Sequence, residues 1–298
     1  MSTLREIFDG YEAVRHRMPA RGPGGACERV PDLGAVADRF DVFLLDAFGV
    51  LNVGEAAIPG AAERVRDLRE RGKRVLVVSN AAGLPHARLM EKYDRLGMGF
   101  APEDVVTSRA ALLTALDTEA GRRWGIMAAP SWGRKDLEGL DLVFLEDDPA
   151  PYAEVDGFLL VGSSVWSEAR QTMLEAAIAA RSRPVLVGNP DIAAPQDDGA
   201  SKEPGYWAHR LADRTGVEPR FFGKPFGNIY DLAFARLDAG SSARVLMVGD
   251  SLHTDVLGAQ TAGISSALVT GHGLLKGLDI AELIETSGLR PDLILPSI

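Results

Sequence analysis

Residues Val42 to Asn52 read VFLLDAFGVLN. Four apolar residues in a row, Val42–Leu45, have the pattern of a strand buried on both faces, as in a parallel sheet covered by helices. The run stops at Asp46, and Gly49 marks a tight turn just beyond it. A carboxylate at the C-terminal end of a buried parallel strand stands where open α/β sheets hold their ligands. Taken alone, the same Asp reads more simply as a turn former or a helix N-cap.

Moving outward, Pro59-Gly60 opens a helix whose apolar positions Ile58, Ala62, Val65 and Leu68 fit a 3.6-residue period, and Gly72 ends it. The β-branched run Arg74–Val78 follows and stops at Ser79-Asn80. Strand, helix and strand make one right-handed βαβ unit, which brings Asp46 and Ser79 to the same sheet edge. A helix over about 85–96, a strand at 104–107 and a helix from Ser108 continue the pattern. The texture then changes. Strand-like runs at 124–128, 142–145, 157–161 and 184–187, with a helix over 167–181, predict a second α/β unit inserted into the first. It closes in GNPDIAAPQDDGASKEPG, residues 188–205, a long polar loop. After a helix over 205–214 and a short extended piece at 220–222, the turn FGKPFGN carries Lys224. Later come a helix over 228–237 and a strand at 244–248 that ends in Gly249-Asp250. A helix after SLHTD, a strand at 266–269, a helix near 279–285 and PDLILPSI close the first sheet. Residues 1–40 show two weak helical patterns, at 4–17 and 33–40, around a Gly/Pro-rich loop. No chemistry is assigned to this extension, and Cys27 within it reads as an incidental thiol.

The composition narrows the class of partner. The chain has 298 residues, 46% of them hydrophobic, and a formal net charge of −10, which argues against a nucleic-acid or acidic-membrane surface. A phosphate ester would then need a divalent or local cation. The single cysteine excludes an intrachain disulfide and a Cys-based zinc cluster. No apolar run approaches the roughly 18 residues of a membrane span, and the charged N-terminus has no signal-peptide core. The expectation is a soluble cytoplasmic protein.

Three buried strands thus end in Asp46, Ser79 and Asp250, and a turn presents Lys224. In one parallel sheet these side chains converge, and phosphoryl transfer needs this inventory. One carboxylate attacks phosphorus, and a second shares a hard divalent cation with it. A hydroxyl and an ammonium neutralise charge on the phosphate oxygens.

These residues resemble the haloacid dehalogenase superfamily of phosphohydrolases, specifically the NagD-like subfamily IIA, over about residues 41–296. LLDAFGVL looks like its nucleophile motif, GEAAIPGAAE its glycine-plus-PGA stretch and VVSN its Ser/Thr-Asn motif. FFGKP looks like the lysine motif, VGDSLHTD the acidic metal motif, and NPD at 189–191 part of the inserted cap. The resemblance implies a doubly wound, Rossmann-like α/β core with an inserted α/β cap. The core would span 1–110, including the extension 1–40, and 200–298, with the cap at 111–199. It implies Asp46 as nucleophile and metal ligand, with Phe48 lending a backbone carbonyl to Mg2+. Asp250 would ligate the metal, with Asp255 beside it acting through water or Ser251. Ser79 and Asn80 would hold the transferring phosphate, Lys224 would neutralise it and orient Asp46, and Asp191 would reach the substrate from the cap. The expected reaction is hydrolysis of a small phosphorylated metabolite, a sugar phosphate or nucleotide, through an aspartyl-phosphate. Caps of this subfamily also imply a homodimer.

Two positions depart from the family. The second Asp of its nucleophile motif, which protonates the leaving group, is here Phe48. General acid–base help is worth about 10²- to 10⁴-fold. Either activity is weak, or His253, Asn52 or Asp191 takes over, or the protein binds phosphate and metal without turnover. Ala81 also stands where the family often has a second Asn. Trp166, Trp207 and Tyr206 read as packing residues, and Glu146-Asp147-Asp148 as a solvated loop.

Overall fold

Val42–Leu45 forms a strand inside a seven-stranded, wholly parallel sheet. In spatial order the strands are Glu28–Arg29, Leu293–Leu295, Ser265–Val269, Val245–Gly249, Val42–Leu45, Arg74–Ser79 and Val105–Thr107. The computed structural model describes residues 3–119, 121–196, 199–237 and 243–298.

Both faces of the sheet are covered, which is why its strands read as unbroken apolar runs. Phe43, Leu45, Val75 and Val77 pack on one side with Leu68, Leu89 and Tyr93. Val42, Leu44, Leu76 and Val78 pack on the other with Ile229, Tyr230 and Ala233. This is the period-2 alternation of a strand between two helix layers. Pairing of Leu45 with Val77 on one side and Val248 on the other sets the register. That register brings Asp46, Ser79 and Asp250 out at one C-terminal edge.

The inserted unit is a second parallel sheet in the order Arg220–Phe221, Val185–Val187, Gly157–Leu160, Trp124–Met127, Leu142–Phe144. Helix Glu168–Ala180 packs against helix Pro204–Thr215 beside it. The boundary expected at 199/200 therefore moves. Residues 204–221 belong to the cap, because Leu186 and Val187 pair with Arg220 and Phe221 and because Ala208 and Leu211 fill the cap core. The chain consequently leaves the cap twice, at 188–191 and again at 222–224.

Two further stretches differ from the sequence reading. The polar loop 188–205 contains an antiparallel hairpin, Ala193–Gln196 with Gly199–Lys202. Its Asp197 and Asp198 lie outside the described residues. The stretch read as a Gly/Pro-rich loop in the N-terminal extension holds Glu28–Arg29, the edge strand of the main sheet, while helix Leu4–Ala13 lies within the expected helical pattern and buries Ile7, Phe8 and Tyr11. As expected, Trp166 and Trp207 stack at 5.6 Å as packing residues, and Asp147 pairs with Arg170 on the surface. Among the described residues no helix is long and apolar enough to cross a membrane.

Candidate active site

The strand edge and the cap enclose a cavity of about 320 Å³. That is the size of a small-molecule pocket. Its lining includes Asp46, Phe48, Ser79, Asn80, Lys224 and Asp250 from the core and Asp191 from the cap crossing.

Its charged centre is one ammonium among carboxylates. Lys224 Nζ lies 2.7 Å from Asp46 Oδ1 and 2.7 Å from Asp255 Oδ1. Ala47 N donates to Asp46 Oδ1 at 2.7 Å, and Ser251 N to Asp255 Oδ2 at 3.1 Å. Asp250 Oδ2 accepts from Leu274 N at 2.8 Å. Two turns press against Asp250: a Cβ on Gly273 would sit 1.7 Å from its Oδ2, and one on Gly49 2.3 Å. Both glycines also have positive φ, so a side chain is barred there twice over.

This charge balance perturbs Asp46 and Asp250. Burial pushes Asp46 up to about 6, with Asp255 adding to the effect and Lys224 opposing it. Burial, then Asp46 and Asp255, hold Asp250 well above the carboxylate range. Burial works against the Lys224 ammonium, but Asp255 and Asp46 outweigh it and hold lysine charged. Three acids around one base leave excess negative charge, which a buried site relieves by retaining a proton or by taking up a further cation. Asp46, Asp250 and Asp255 each turn an oxygen to a common place, all within 4.8 Å of one another. An all-oxygen, carboxylate set of this kind fits a hard divalent cation such as Mg2+.

Asn80 fastens the two cap crossings to the core. Its Oδ1 accepts from Lys224 N at 2.7 Å, and its Nδ2 donates to Lys224 O at 3.0 Å and to Asp191 Oδ1 at 2.8 Å. Ser79 is buried beside it, its Oγ accepting from Ala81 N at 3.3 Å. Asp191 is half-buried, and desolvation pushes its carboxyl up to about 7 despite the Asn80 bond and the charge of Lys224.

Of the candidates for the missing acid, Asp191 and Asn52 line the cavity. His253 is turned away from it. Its ring stacks on Tyr11 at 5.1 Å and its Nε2 lies 2.5 Å from Glu12 Oε1. The N-terminal helix is what the sequence reading missed here. Tyr11, fully buried, stacks on the metal-motif loop and reaches the cap crossing, its hydroxyl accepting from Ile192 N at 3.4 Å and lying 3.5 Å from Asp191 Oδ1. The only signal was an apolar face through Ile7 and Tyr11, since the contacts span some 180 to 240 residues of sequence.

Comparison with known proteins gives the family. Residues 43–142 match the haloacid dehalogenase-like hydrolase model and residues 221–298 a HAD-hydrolase-like model, together more than half of the chain. The unmatched middle lies largely in the cap. A D-glycerol 3-phosphate phosphatase of Mycobacterium tuberculosis is 31% identical over 79% of this chain, which spans 64% of that protein's length. A 4-nitrophenylphosphatase of Schizosaccharomyces pombe is 26% identical over 82% of this chain and 88% of its own. A solved M. tuberculosis glycerol phosphate phosphatase in complex with magnesium superposes with a TM-score of 0.70 at 26% identity, covering 87% of this chain and 76% of that one.

Proposed function

The chain belongs to the haloacid dehalogenase-like hydrolases, among the phosphatases of subfamily IIA, and from that premise we propose that it hydrolyses small phosphomonoesters through an aspartyl-phosphate on Asp46. The observation that carries this reading is the cluster of Asp46, Asp250 and Asp255 around Lys224 at the mouth of a small-molecule cavity.

In this reading an oxygen of Asp46 attacks phosphorus and the ester bond to the alcohol breaks. Lys224 keeps Asp46 ionised and aimed, because its ammonium touches that carboxylate directly. The Ser79 hydroxyl and the backbone of Asn80, whose side-chain amide is taken up by Lys224 and Asp191, hold the phosphoryl oxygens. The departing alkoxide takes its proton from Asp191, which lines the cavity and is about half protonated near neutral pH. Asn52 has no acidic proton to give, and His253 faces Glu12. Water then attacks phosphorus, its proton returns to Asp191, and phosphate and free Asp46 result. Asp46, Asp250, the Phe48 carbonyl and Asp255 would hold Mg2+, whose charge offsets that of the cluster and the phosphate when bound. The cap excludes bulk water from the cavity.

A second reading, phosphate and metal binding without turnover, is favoured by Phe48, a residue of the cavity lining with no proton to give where the family has its second Asp. The test is a panel of sugar phosphates, nucleotides and p-nitrophenyl phosphate with Mg2+. Turnover that Asp46→Asn abolishes supports the enzyme, whereas thermal stabilisation by these ligands with no turnover supports the binder. A small phosphorylated metabolite as partner, rather than nucleic acid or membrane, follows from the acidic charge, and a homodimer through the cap follows from the family.

A further inference from the structure

Glu203 is a charged residue of the cavity lining that the chemistry above does not use. It stands on the cap side, between the hairpin 193–202 and helix Pro204–Thr215, and its N–H donates to Ile192 O at 3.1 Å. Only neutral donors reach its carboxylate. Ser163 Oγ at 3.0 Å and Asn189 Nδ2 at 3.4 Å donate to Oε2, and Ser201 Oγ at 2.6 Å donates to Oε1. They hold the group in place, yet a carboxylate has about four acceptor positions, so one is left for a ligand. Among the described residues no cation pairs with it. Lys202, its neighbour in sequence, is turned instead to the Tyr206 ring at 4.7 Å and to Glu168 at 3.5 Å. The two lysines of the lining are also taken: Lys224 by Asp46 and Asp255, and Lys92 Nζ by Gly54 O at 2.9 Å and Glu55 Oε1 at 3.1 Å.

A short chain of bonds ties Glu203 to the reacting end. Asn189 Oδ1 accepts from Asp191 N at 2.9 Å, Asp191 Oδ1 from Asn80 Nδ2 at 2.8 Å, and Asn80 Oδ1 from Lys224 N at 2.7 Å. Glu203 therefore stands on the wall that runs from the cap to Lys224, near enough for its charge to act on Asp191. A half-buried carboxylate with no counter-charge is costly, and it repels a phosphate brought into the same cavity.

Building on the phosphatase reading above, we infer that Glu203 receives an ammonium group carried by the alcohol half of the substrate, so that the favoured substrates are phosphate esters of short amino alcohols. An ammonium supplies both the donor and the charge that Glu203 lacks, whereas a hydroxyl in its place supplies only the donor. The two ends of such an ester are then matched separately: the phosphoryl group by Lys224 and the metal cluster, the ammonium by Glu203. Leu89, Ala193 and Ala194 in the lining suit a carbon stem between them, and a cavity of about 320 Å³ keeps that stem to a few carbons.

The experiment measures kcat/KM with Mg2+ for two matched pairs, aminoethyl against hydroxyethyl phosphate and aminopropyl against hydroxypropyl phosphate, with p-nitrophenyl phosphate alongside. Wild type and Glu203→Gln are compared, the variant keeping the size of the side chain and an acceptor oxygen while removing the charge. Wild type should prefer the amine in at least one pair by about tenfold or more, the worth of a hydrogen bond to a charged group, mainly through KM. Glu203→Gln should bring that ratio close to one. No preference for the amine in either pair overturns the inference on wild type alone. A preference that survives Glu203→Gln overturns it too, and so does a variant that loses amine and hydroxyl esters equally, as a purely structural role would. In each of these cases turnover of p-nitrophenyl phosphate by wild type leaves the phosphatase reading standing. Absence of turnover of every ester by wild type overturns the phosphatase reading and the inference with it.

Discussion

Replacing Lys224 with methionine removes the one positive charge from the carboxylate cluster while keeping nearly the same length of side chain. Lys224 is 1% exposed and lies 2.7 Å from both Asp46 and Asp255. Asp250 has an oxygen within 4.8 Å of the other two acids. Without the ammonium, three buried carboxyls face one another with only peptide N–H groups to balance them. Breaking a buried ion pair by deleting one partner typically costs about 3–5 kcal/mol. For a chain of this size, each kcal/mol moves the melting temperature by roughly 2–3 °C, so Lys224→Met should melt roughly 6–15 °C lower in the presence of a chelator. A divalent cation at about 100 times its dissociation constant returns about 2.7 kcal/mol. Because the variant's cluster is more negative by one charge, Mg2+ should stabilise the variant more than the wild type. The assay is a thermal melt of both proteins, with chelator and with saturating Mg2+. A variant as stable as wild type in chelator, or an Mg2+ effect equal in the two, would refute the electrostatic account of the cluster.

Asp250→Asn should abolish the Mg2+-dependent rise in melting temperature while the fold survives in chelator, as read by the same melts and by circular dichroism. The pH dependence of stability should include a contribution from Asp191, raised to about 7 in the fold against an unfolded value of about 3.9. A folded state that holds its proton more tightly than the unfolded chain loses stability as pH rises between those values, and the loss is complete above about 7. Asp191→Asn should therefore be more stable than wild type at pH 8, by at most about 4 kcal/mol because the carboxyl is only half-buried, with the gain vanishing near pH 4. Equal stabilities at both pH values would contradict it. Tyr11→Ala should cost about 3–5 kcal/mol, as for other buried aromatics, and a melt unchanged from wild type would mean that the N-terminal helix does not hold the site together.

The strand ends were legible because the information is local. Asp46, Ser79 and Asp250 each follow an apolar run of strand length, and a parallel sheet brings such ends to one edge without knowledge of distant contacts. The cap was legible as a second α/β texture, but its return was not. Arg220–Phe221 is too short a strand to show alternation, and only its pairing with Leu186 and Val187 gives it to the cap. The hairpin at 193–202 escaped for a similar reason, since Ala-Ala-Pro-Gln opposite Gly-Ala-Ser-Lys lacks the β-branched residues that mark strands.

Lys224 follows the last cap strand after only Phe222 and Gly223, so the residue whose ammonium touches Asp46 is also the mooring point of the cap. Any tilt of the small domain must pull on this rope, and Asn80, which grips the lysine backbone on both its N–H and its carbonyl, is the cleat that resists it. The seating of the cap and the placing of the ammonium against Asp46 thereby share one short stretch of backbone.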